Sequence, residues 1–280
     1  MKILVTGASG TLGTEVVKHL VSAGADVRAA IHSPQKVQKL KSAKIEIVEV
    51  YYGKPETLKA AMRGAEKVFS LTPLMQNMVE LSNIITDEAK KAGIKHIVRQ
   101  SGMGSEYEAI QLARWHRAAE RHIESSEIAW TFLRPNSFMQ NFLTYPAVHG
   151  VYYMPMGEGR TSYVDVRDVA AVATKAILET GHEGKAYTIT GTEALTVGEA
   201  AAYIAKSSGK DIKYADVPED AARKGMEGAG MPKWLADVLL ELMRIGKEGY
   251  TAAVTNTIEE VTGNKPRRFA QFSKDYAGAF

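Results

Sequence analysis

The 280-residue sequence has no cysteine, little net charge and no apolar run of membrane-spanning length. The lack of cysteine excludes disulfides, thiolate metal ligands and cysteine nucleophiles, and it suits a reducing compartment. Because 35 basic and 32 acidic residues are mixed along the chain, the net charge is only +3, and nucleic acid is not an expected partner. No leader pattern follows Met1. We therefore expect a cytoplasmic protein with no membrane partner.

Two absent motifs narrow the chemistry further. The sequence has no His-Glu-x-x-His motif, and His116 and His122 stand six residues apart, which is about 120° around a helix. No metal site is therefore expected. The sequence also has no Gly-x-Ser-x-Gly nucleophile elbow, which argues against a serine hydrolase.

A glycine motif near residue 10 is the most informative feature that is present. An apolar run at residues 3–5 leads into glycines spaced three apart, and helical apolar spacing follows. The first glycine permits a tight turn, the second lets the backbone approach a pyrophosphate, and the third lets the helix pack against its strand. A helix that begins here also presents free N–H groups and the positive end of its dipole. The predicted dinucleotide contacts are Gly7, Ser9, Gly10, Thr11, Leu12 and Gly13.

Strand and helix patterns alternate through the first half of the chain. This alternation predicts an α/β fold, a Rossmann-like doubly wound parallel sheet with strand order 3-2-1-4-5-6. After Pro135 a loop-rich stretch and a mostly helical C-terminal third follow. We expect an NAD(P)-binding Rossmann domain over residues 1–135 and a smaller, intimately packed substrate lobe over 136–280. The segment 186–190 is a candidate further strand of the sheet.

Four segments together resemble the NmrA-like atypical short-chain dehydrogenase/reductases. They are TGASGTLG at residues 6–13, Thr72-Pro73, LRPNSFMQN at residues 133–141 and YVDVRDVA at residues 163–170. The resemblance runs nearly end to end, and bacterial members of the family include NAD(P)H-dependent quinone, azo-dye and triphenylmethane reductases. It implies a Rossmann domain, a nicotinamide dinucleotide, and either reductase activity or redox sensing.

The end of the second strand indicates which nicotinamide cofactor is bound. An NAD-specific site places an acid there, whereas this chain has His32 and Ser33, with Lys36 close behind. NADP(H) is therefore favoured over NAD(H), although His32 could equally be an ordinary exposed histidine. The resemblance also places Tyr51 where relatives carry an acid that addresses the adenine. Its ring could stack on the base, or it could be a partly buried strand-end tyrosine.

The resemblance assigns the remaining contacts by position. Leu71, Thr72 and Pro73 would border the ribose, and Pro135, Asn136 and Phe138 would flank the nicotinamide. A flat apolar pocket for the acceptor would include Met139, Tyr152 and Tyr153.

The expected catalytic pair of an ordinary short-chain dehydrogenase is a tyrosine with a lysine four residues later. Alignment through Glu120 puts Leu112 and His116 at those positions, so carbonyl–alcohol chemistry by that pair is not expected. An electron-poor acceptor can take hydride by proximity alone. His116 is then a candidate ribose contact or proton donor, or else a helix-surface histidine.

The leading hypothesis is an NAD(P)H-dependent oxidoreductase that passes hydride to a small quinone-like or conjugated aromatic acceptor. The alternative is a non-catalytic regulator that senses the redox state of NAD(P). A sugar-nucleotide epimerase or dehydratase ranks last because it needs the missing tyrosine. The sequence is compatible with a monomer or a homodimer.

Overall fold

The computed structural model of the protein describes residues 1–32, 45–145 and 147–280. The chain divides into two units, each continuous in space but not in sequence. The first unit comprises Met1–Glu108, Ala113–Arg134 and Val166–Thr188, and the second comprises Ala109–Leu112, Pro135–Asp165 and Ile189–Phe280.

A seven-stranded sheet organises the first unit. Its strands are β1 (Lys2–Val5), β2 (Asp26–Ile31), β3 (Ile45–Glu49), β4 (Lys67–Ser70), β5 (His96–Gln100), β6 (Ala129–Pro135) and, after β7 (Val151–Met154) elsewhere, β8 (Lys185–Ile189). The order across the sheet is β3-β2-β1-β4-β5-β6-β8, and β1 to β6 pair in parallel. The predicted Rossmann-like fold is confirmed, with β8 added beside β6.

Helices cover both faces of this sheet because its strands are apolar on both sides. Ile3, Leu4 and Val5 are all fully buried. The helices are α1 (Thr11–Ser22), α2 (Pro55–Met62), α3 (Met78–Lys91), α4 (Gln111–Glu124) and, after α5 (Asn141–Thr144), α6 (Val166–Leu178). Helices α2, α3 and α4 share one apolar cluster with the strands, while α1 and α6 pack against each other. The chain reverses direction across the sheet at β1 and β4, the switch point where ligands of such folds bind.

The second unit is mostly helical. Besides α5 it contains β7 paired in parallel with β9 (Lys213–Asp216), and the helices α7 (Val197–Ser208), α8 (Glu219–Gly228), α9 (Lys233–Lys247), α10 (Thr257–Thr262) and α11 (Phe269–Asp275). Its core is aromatic: Phe142 packs edge-on against Tyr152, Tyr163 and Phe269 at centroid distances of 5.2, 5.2 and 5.3 Å. Across the described ranges, every helix is too short or too polar to cross a lipid bilayer.

Candidate functional site

The loop between β1 and α1 needs glycine at two positions for different reasons. Gly7 has φ of 62°, in the left-handed region, and a Cβ there would lie 2.6 Å from Cδ2 of Leu71. Gly13 lies inside α1, and a Cβ there would lie 2.1 Å from the carbonyl oxygen of Gly7. The turn and the close approach of helix to loop therefore both depend on the missing side chains.

Gly10 is the N-cap of α1 and leaves the start of the helix uncovered by any side chain of its own. Its N–H donates to the carbonyl of Gly7 (3.0 Å), and the first intrahelical bond runs from Thr14 N to Gly10 O (2.9 Å). The N–H groups of Thr11 and Leu12 precede that bond and have no intrahelical acceptor. No acidic residue lies in the first turn of α1. The helix start therefore favours a bound anion.

A pocket of about 260 Å³ opens directly beside this loop. It lies at the carboxyl ends of β1, β2 and β4, where the switch point predicts a ligand. Six of the predicted cofactor residues line it: Gly7, Ser9, Gly10, His32, Leu71 and Pro73. Four lining residues were not predicted: Ala30, Ile31, Val50 and Tyr52. These four follow from strand register rather than from a motif, since each stands at the end of a neighbouring strand or just after it.

The adjacent residues Tyr51 and Tyr52 have different surroundings. Tyr52 lines the pocket, and its hydroxyl donates to the carbonyl of Leu71 (3.2 Å). Tyr51 instead meets the His32 ring edge-on at 5.1 Å and donates its hydroxyl to Glu49 (3.2 Å). The negative charge of Glu49 raises the pKa of Tyr51. Glu49 of β3 is in register with Ile31, the residue before His32. The carboxylate of Glu49 therefore belongs to the same end of the sheet as His32.

The strand ends around the pocket are held together by hydrogen bonds. Thr6 and Leu71 exchange two of them, from the Thr6 hydroxyl to Leu71 O (2.9 Å) and from Leu71 N to the Thr6 oxygen (2.8 Å). Thr72, the next residue, is buried. Ser33 and Lys36, the other predicted contacts of an adenosine 2′-phosphate, lie outside the described residues.

In the second unit, the predicted residues fall into buried and exposed sets. Asn136, just after Pro135 at the end of β6, donates to Ser162 Oγ and Thr251 O, both at 2.8 Å. Phe138 forms an isolated parallel bridge with Val164. Met139 and Tyr152 are buried in the aromatic core, whereas Tyr153 is 51% exposed.

His116 lies on the inward side of α4 and is buried. Its ring lies against Gly102, where a Cβ would come within 3.0 Å of His116 Cδ2. Burial, and secondly the positive charge of Arg99, lower the pKa of His116 to about 3. His116 is therefore a neutral imidazole near pH 7, and the helix-surface interpretation is wrong.

Glu120, one turn further along α4, is the centre of a hydrogen-bonded set that the sequence did not reveal. Its buried carboxylate accepts from Arg134 Nε (2.9 Å) and Nη2 (2.7 Å), from Ser101 Oγ (2.7 Å) and from Arg117 Nη1 (3.2 Å). Burial alone would raise the pKa of Glu120, but the bonds from Arg134 and Ser101 outweigh it and lower that pKa. We call these four residues the Glu120 network. It ties the end of β5, helix α4 and the end of β6 together.

The sequence profile of the NmrA-like family matches residues 1–276. The chain belongs to the NmrA-like family. The resemblance seen in the four sequence segments is thereby confirmed over nearly the whole length.

Similar proteins of this family are named as reductases. The chain is 38% identical over 282 residues to an NAD(P)H azoreductase from Xenophilus azovorans, with 99% of each chain covered. It is 34% identical over 284 residues to a (4-alkanoyl-5-oxo-2,5-dihydrofuran-3-yl)methyl phosphate reductase from Streptomyces griseus, again with 99% of each covered. Its fold matches an NADPH-dependent quinone oxidoreductase from Escherichia coli solved with NADPH, with a TM-score of 0.87 and 28% identity, covering 98% of this chain and 99% of that one.

The residues of this NmrA-like chain fit a dinucleotide. The glycine loop is a cradle that a Cβ at either Gly7 or Gly13 would fill, and the start of α1 supplies N–H donors beside it. No tyrosine in the sequence has a lysine four residues later. The chain therefore has the geometry to bind the cofactor but lacks the usual tyrosine–lysine acid.

Proposed function

We propose that this NmrA-like chain is an NAD(P)H-dependent oxidoreductase that reduces a quinone-like or conjugated, electron-poor acceptor. The observation that carries the proposal is the glycine loop beside the switch-point pocket, with its uncovered helix start. The names of the similar proteins support the second half of the proposal, since azo compounds, quinones and conjugated lactones all accept hydride readily.

The first unit would bind the cofactor. Backbone N–H groups of Thr11 and Leu12 would hold the pyrophosphate, and the apolar walls at Ile31 and Tyr52 would exclude water from the adenosine half. We further propose a preference for NADP(H), because the exposed His32 can donate to a 2′-phosphate and β2 ends without an acid.

The chemistry asks little of the protein beyond orientation. The bound nicotinamide supplies the hydride, and an acceptor that is already electron-poor needs no strong acid to polarise it. His116 is neutral and turned toward Gly102, so we propose that it fixes the loop after β5 and does not act as an imidazolium acid. Solvent water would then supply the proton that completes the reduction.

The second unit would bind the acceptor, a role that the sequence analysis gave to residues 136–280, of which Val166–Thr188 belong to the first unit. Tyr153 is the proposed ring contact because half of its surface is exposed. Met139 and Tyr152 are buried and would pack behind the wall of the acceptor pocket. The side chain of Asn136 is fixed by two hydrogen bonds. We propose that Asn136 and Phe138 are neighbours of the nicotinamide.

The test measures cofactor binding and turnover separately. NADPH and NADH are first titrated by fluorescence, and their oxidation is then followed with a simple quinone, an azo dye and a conjugated lactone against an acceptor-free control. We expect oxidation that depends on the acceptor, faster with NADPH than with NADH. A protein that binds NADPH but oxidises it with none of the three acceptors would contradict the proposal.

That negative outcome would favour the second candidate, a redox-sensing regulator. The specific observation behind it is the lack of any tyrosine–lysine pair in the sequence. A sensor must bind a partner with different affinity when its cofactor is oxidised and when it is reduced. Equal affinity in the two states would exclude this role.

A further inference from the structure

Between the sheet and the helices α3 and α4, a layer of apolar side chains is followed along the strands by a layer of polar ones. The apolar layer includes Val68 and Ile97 from the strands, Ile85 from α3 and Ile123 from α4, all in one buried cluster. A side chain two residues further along a strand lies on the same face of the sheet, and one three or seven residues back along a helix lies on the same side of that helix. That next layer is polar.

The residues of this second layer are Ser70 on β4, Arg99 on β5, Ser82 on α3 and His116 on α4, and we call them the Arg99 layer. Ser70 and Arg99 are partners in the β4–β5 register, so their side chains leave the same face of the sheet. Ser70, Ser82 and Arg99 are each 0% exposed. A complete guanidinium group therefore lies inside the protein.

Most polar atoms of this layer have no hydrogen-bond partner among the residues that the structure describes. Within the part of the chain that the structure describes, no hydrogen bond reaches Ser70 Oγ, Ser82 Oγ, His116 Nδ1 or any of the three nitrogens of Arg99. Arg28 differs from Arg99, since its buried guanidinium donates through Nη1 to Ala61 O (2.6 Å) and Arg63 O (2.7 Å) and forms an ion pair with Glu46 (2.9 Å). Buried polar groups in folded proteins are nearly always bonded, and a buried charge is paired.

The charge on Arg99 is only partly balanced. Glu120 attracts it, but that carboxylate already accepts from Arg134, Ser101 and Arg117. Burial lowers the pKa of Arg99 to about 10, so the guanidinium remains charged at neutral pH. A guanidinium group has donors and no acceptor, and each serine hydroxyl can also donate. The partner that such a layer lacks is a small acceptor with negative charge.

We propose that Arg99, Ser70 and Ser82 bind a small monovalent inorganic anion, chloride under cellular conditions, inside the first unit. The site is separate from the glycine loop, because it lies on the helix-covered face of β4 and β5 and uses side-chain donors in place of backbone amides. It would act as a structural site: the anion neutralises Arg99 and joins α3 to the strands. It does not depend on the proposed reductase activity.

The test compares melting temperatures in chloride and in gluconate at equal ionic strength. The full chain is expected to melt about 2–4 °C higher in chloride once chloride exceeds its Kd about tenfold. Arg99→Met should abolish the difference between the two salts, and Ser82→Ala should reduce it. Ser273→Ala is the matched control, because Ser273 is also a buried helical serine but donates to Ala270 O within its own helix. It should keep the full difference.

A second measurement remains decisive if Arg99→Met does not fold. Crystals of the unmodified protein grown in bromide should give an anomalous peak between Arg99 and the two serines. Equal melting temperatures in the two salts, or a chloride effect that persists in Ser82→Ala at the size seen in Ser273→Ala, would overturn the proposal. Crystals with water alone at this place would do the same.

Discussion

Two regions at the same edge of the first unit's sheet are built in opposite ways. At the ends of β1, β2 and β4, the glycine loop offers backbone N–H groups and an open pocket with mostly apolar walls. At the ends of β5 and β6, the Glu120 network consists of three charged side chains and the Ser101 hydroxyl, which are already bonded to one another through Glu120. In the first region, backbone N–H groups remain free to bind a ligand. In the second region, the side-chain donors already bond to Glu120. A change in the first should therefore appear in cofactor binding, and a change in the second in stability.

The largest effect is expected from Glu120→Gln. The substitution removes the buried negative charge and leaves Arg134 and Arg117 without their shared carboxylate. Breaking a buried ion pair from one side typically costs about 3–5 kcal/mol of the free energy of unfolding. Urea unfolding measures this loss, while the NADPH Kd of the folded fraction should change little.

Glu219→Gln is the matched control for that change. Glu219 also accepts two hydrogen bonds from one arginine, Arg244, but the side chains are 36% and 52% exposed, respectively. Its loss should cost less than about 1 kcal/mol. Equal losses in the two variants would mean that burial of the Glu120 network does not matter.

Gly13→Ala is expected to give the next effect, and mainly in binding. The new Cβ would lie 2.1 Å from the Gly7 carbonyl, so the loop must move away from α1. Overpacking of this kind costs about 1–3 kcal/mol, and if it falls on the bound geometry the NADPH affinity drops about 10- to 100-fold. Gly225→Ala is the control, because Gly225 is also helical but nothing lies within 4 Å of its added Cβ. An unchanged NADPH Kd in Gly13→Ala would contradict the role given to the glycine loop.

The sequence predicted the glycine loop and not the Glu120 network, and the reason is the distance along the chain. All of the loop's glycines lie within residues 7–13, so the strand, the turn and the helix can be recognised as one local motif. Glu120 is 19 residues from Ser101 and 14 from Arg134, and its meaning depends on how β5, α4 and β6 pack. The same holds for the Arg99 layer, which requires the register of β4 against β5.

Differences between the sequence prediction and the structure at single residues also have local causes. The sequence left Tyr51 either as an adenine contact or as a strand-end tyrosine, whereas its neighbour Tyr52 lines the pocket, because successive side chains near a strand end point in opposite directions. Tyr152 and Tyr153 show the same alternation, one buried and one exposed. The direction in which a single side chain points depends on the three-dimensional register, which the sequence does not give.

The acid sensitivity of the protein should depend on His116. Its pKa in the folded protein is about 3, whereas an unfolded histidine titrates near about 6.5, so the unfolded chain binds the extra proton between these values. The stabilisation by neutral His116 is complete above the unfolded pKa and is lost as the pH falls through this window. At pH 5 the loss is about 2 kcal/mol. His116→Asn should flatten the plot of unfolding free energy against pH between about 4.5 and 6.5.

His149→Asn serves as the control, since His149 is an exposed histidine outside both regions. It should leave the slope of that plot unchanged. His96, whose burial lowers its pKa to about 4, remains in both variants, so part of the slope should persist in each. A slope in His116→Asn equal to that of the unmodified protein would show that His116 is solvated.

The smallest effect is expected from His32→Asp. This substitution tests the pocket beside the glycine loop. The exposed His32 stands at the pocket edge near Glu49, and a carboxylate in its place would repel a 2′-phosphate. NADPH affinity should fall about tenfold while NADH affinity changes less, because one unfavourable charge contact of about 1.4 kcal/mol corresponds to that factor. Glu49→Gln removes a negative charge at the same edge and should leave NADPH binding unchanged or tighter. If His32→Asp weakened NADH and NADPH equally, the histidine would contribute to the shape of the pocket and not to the choice between the two cofactors.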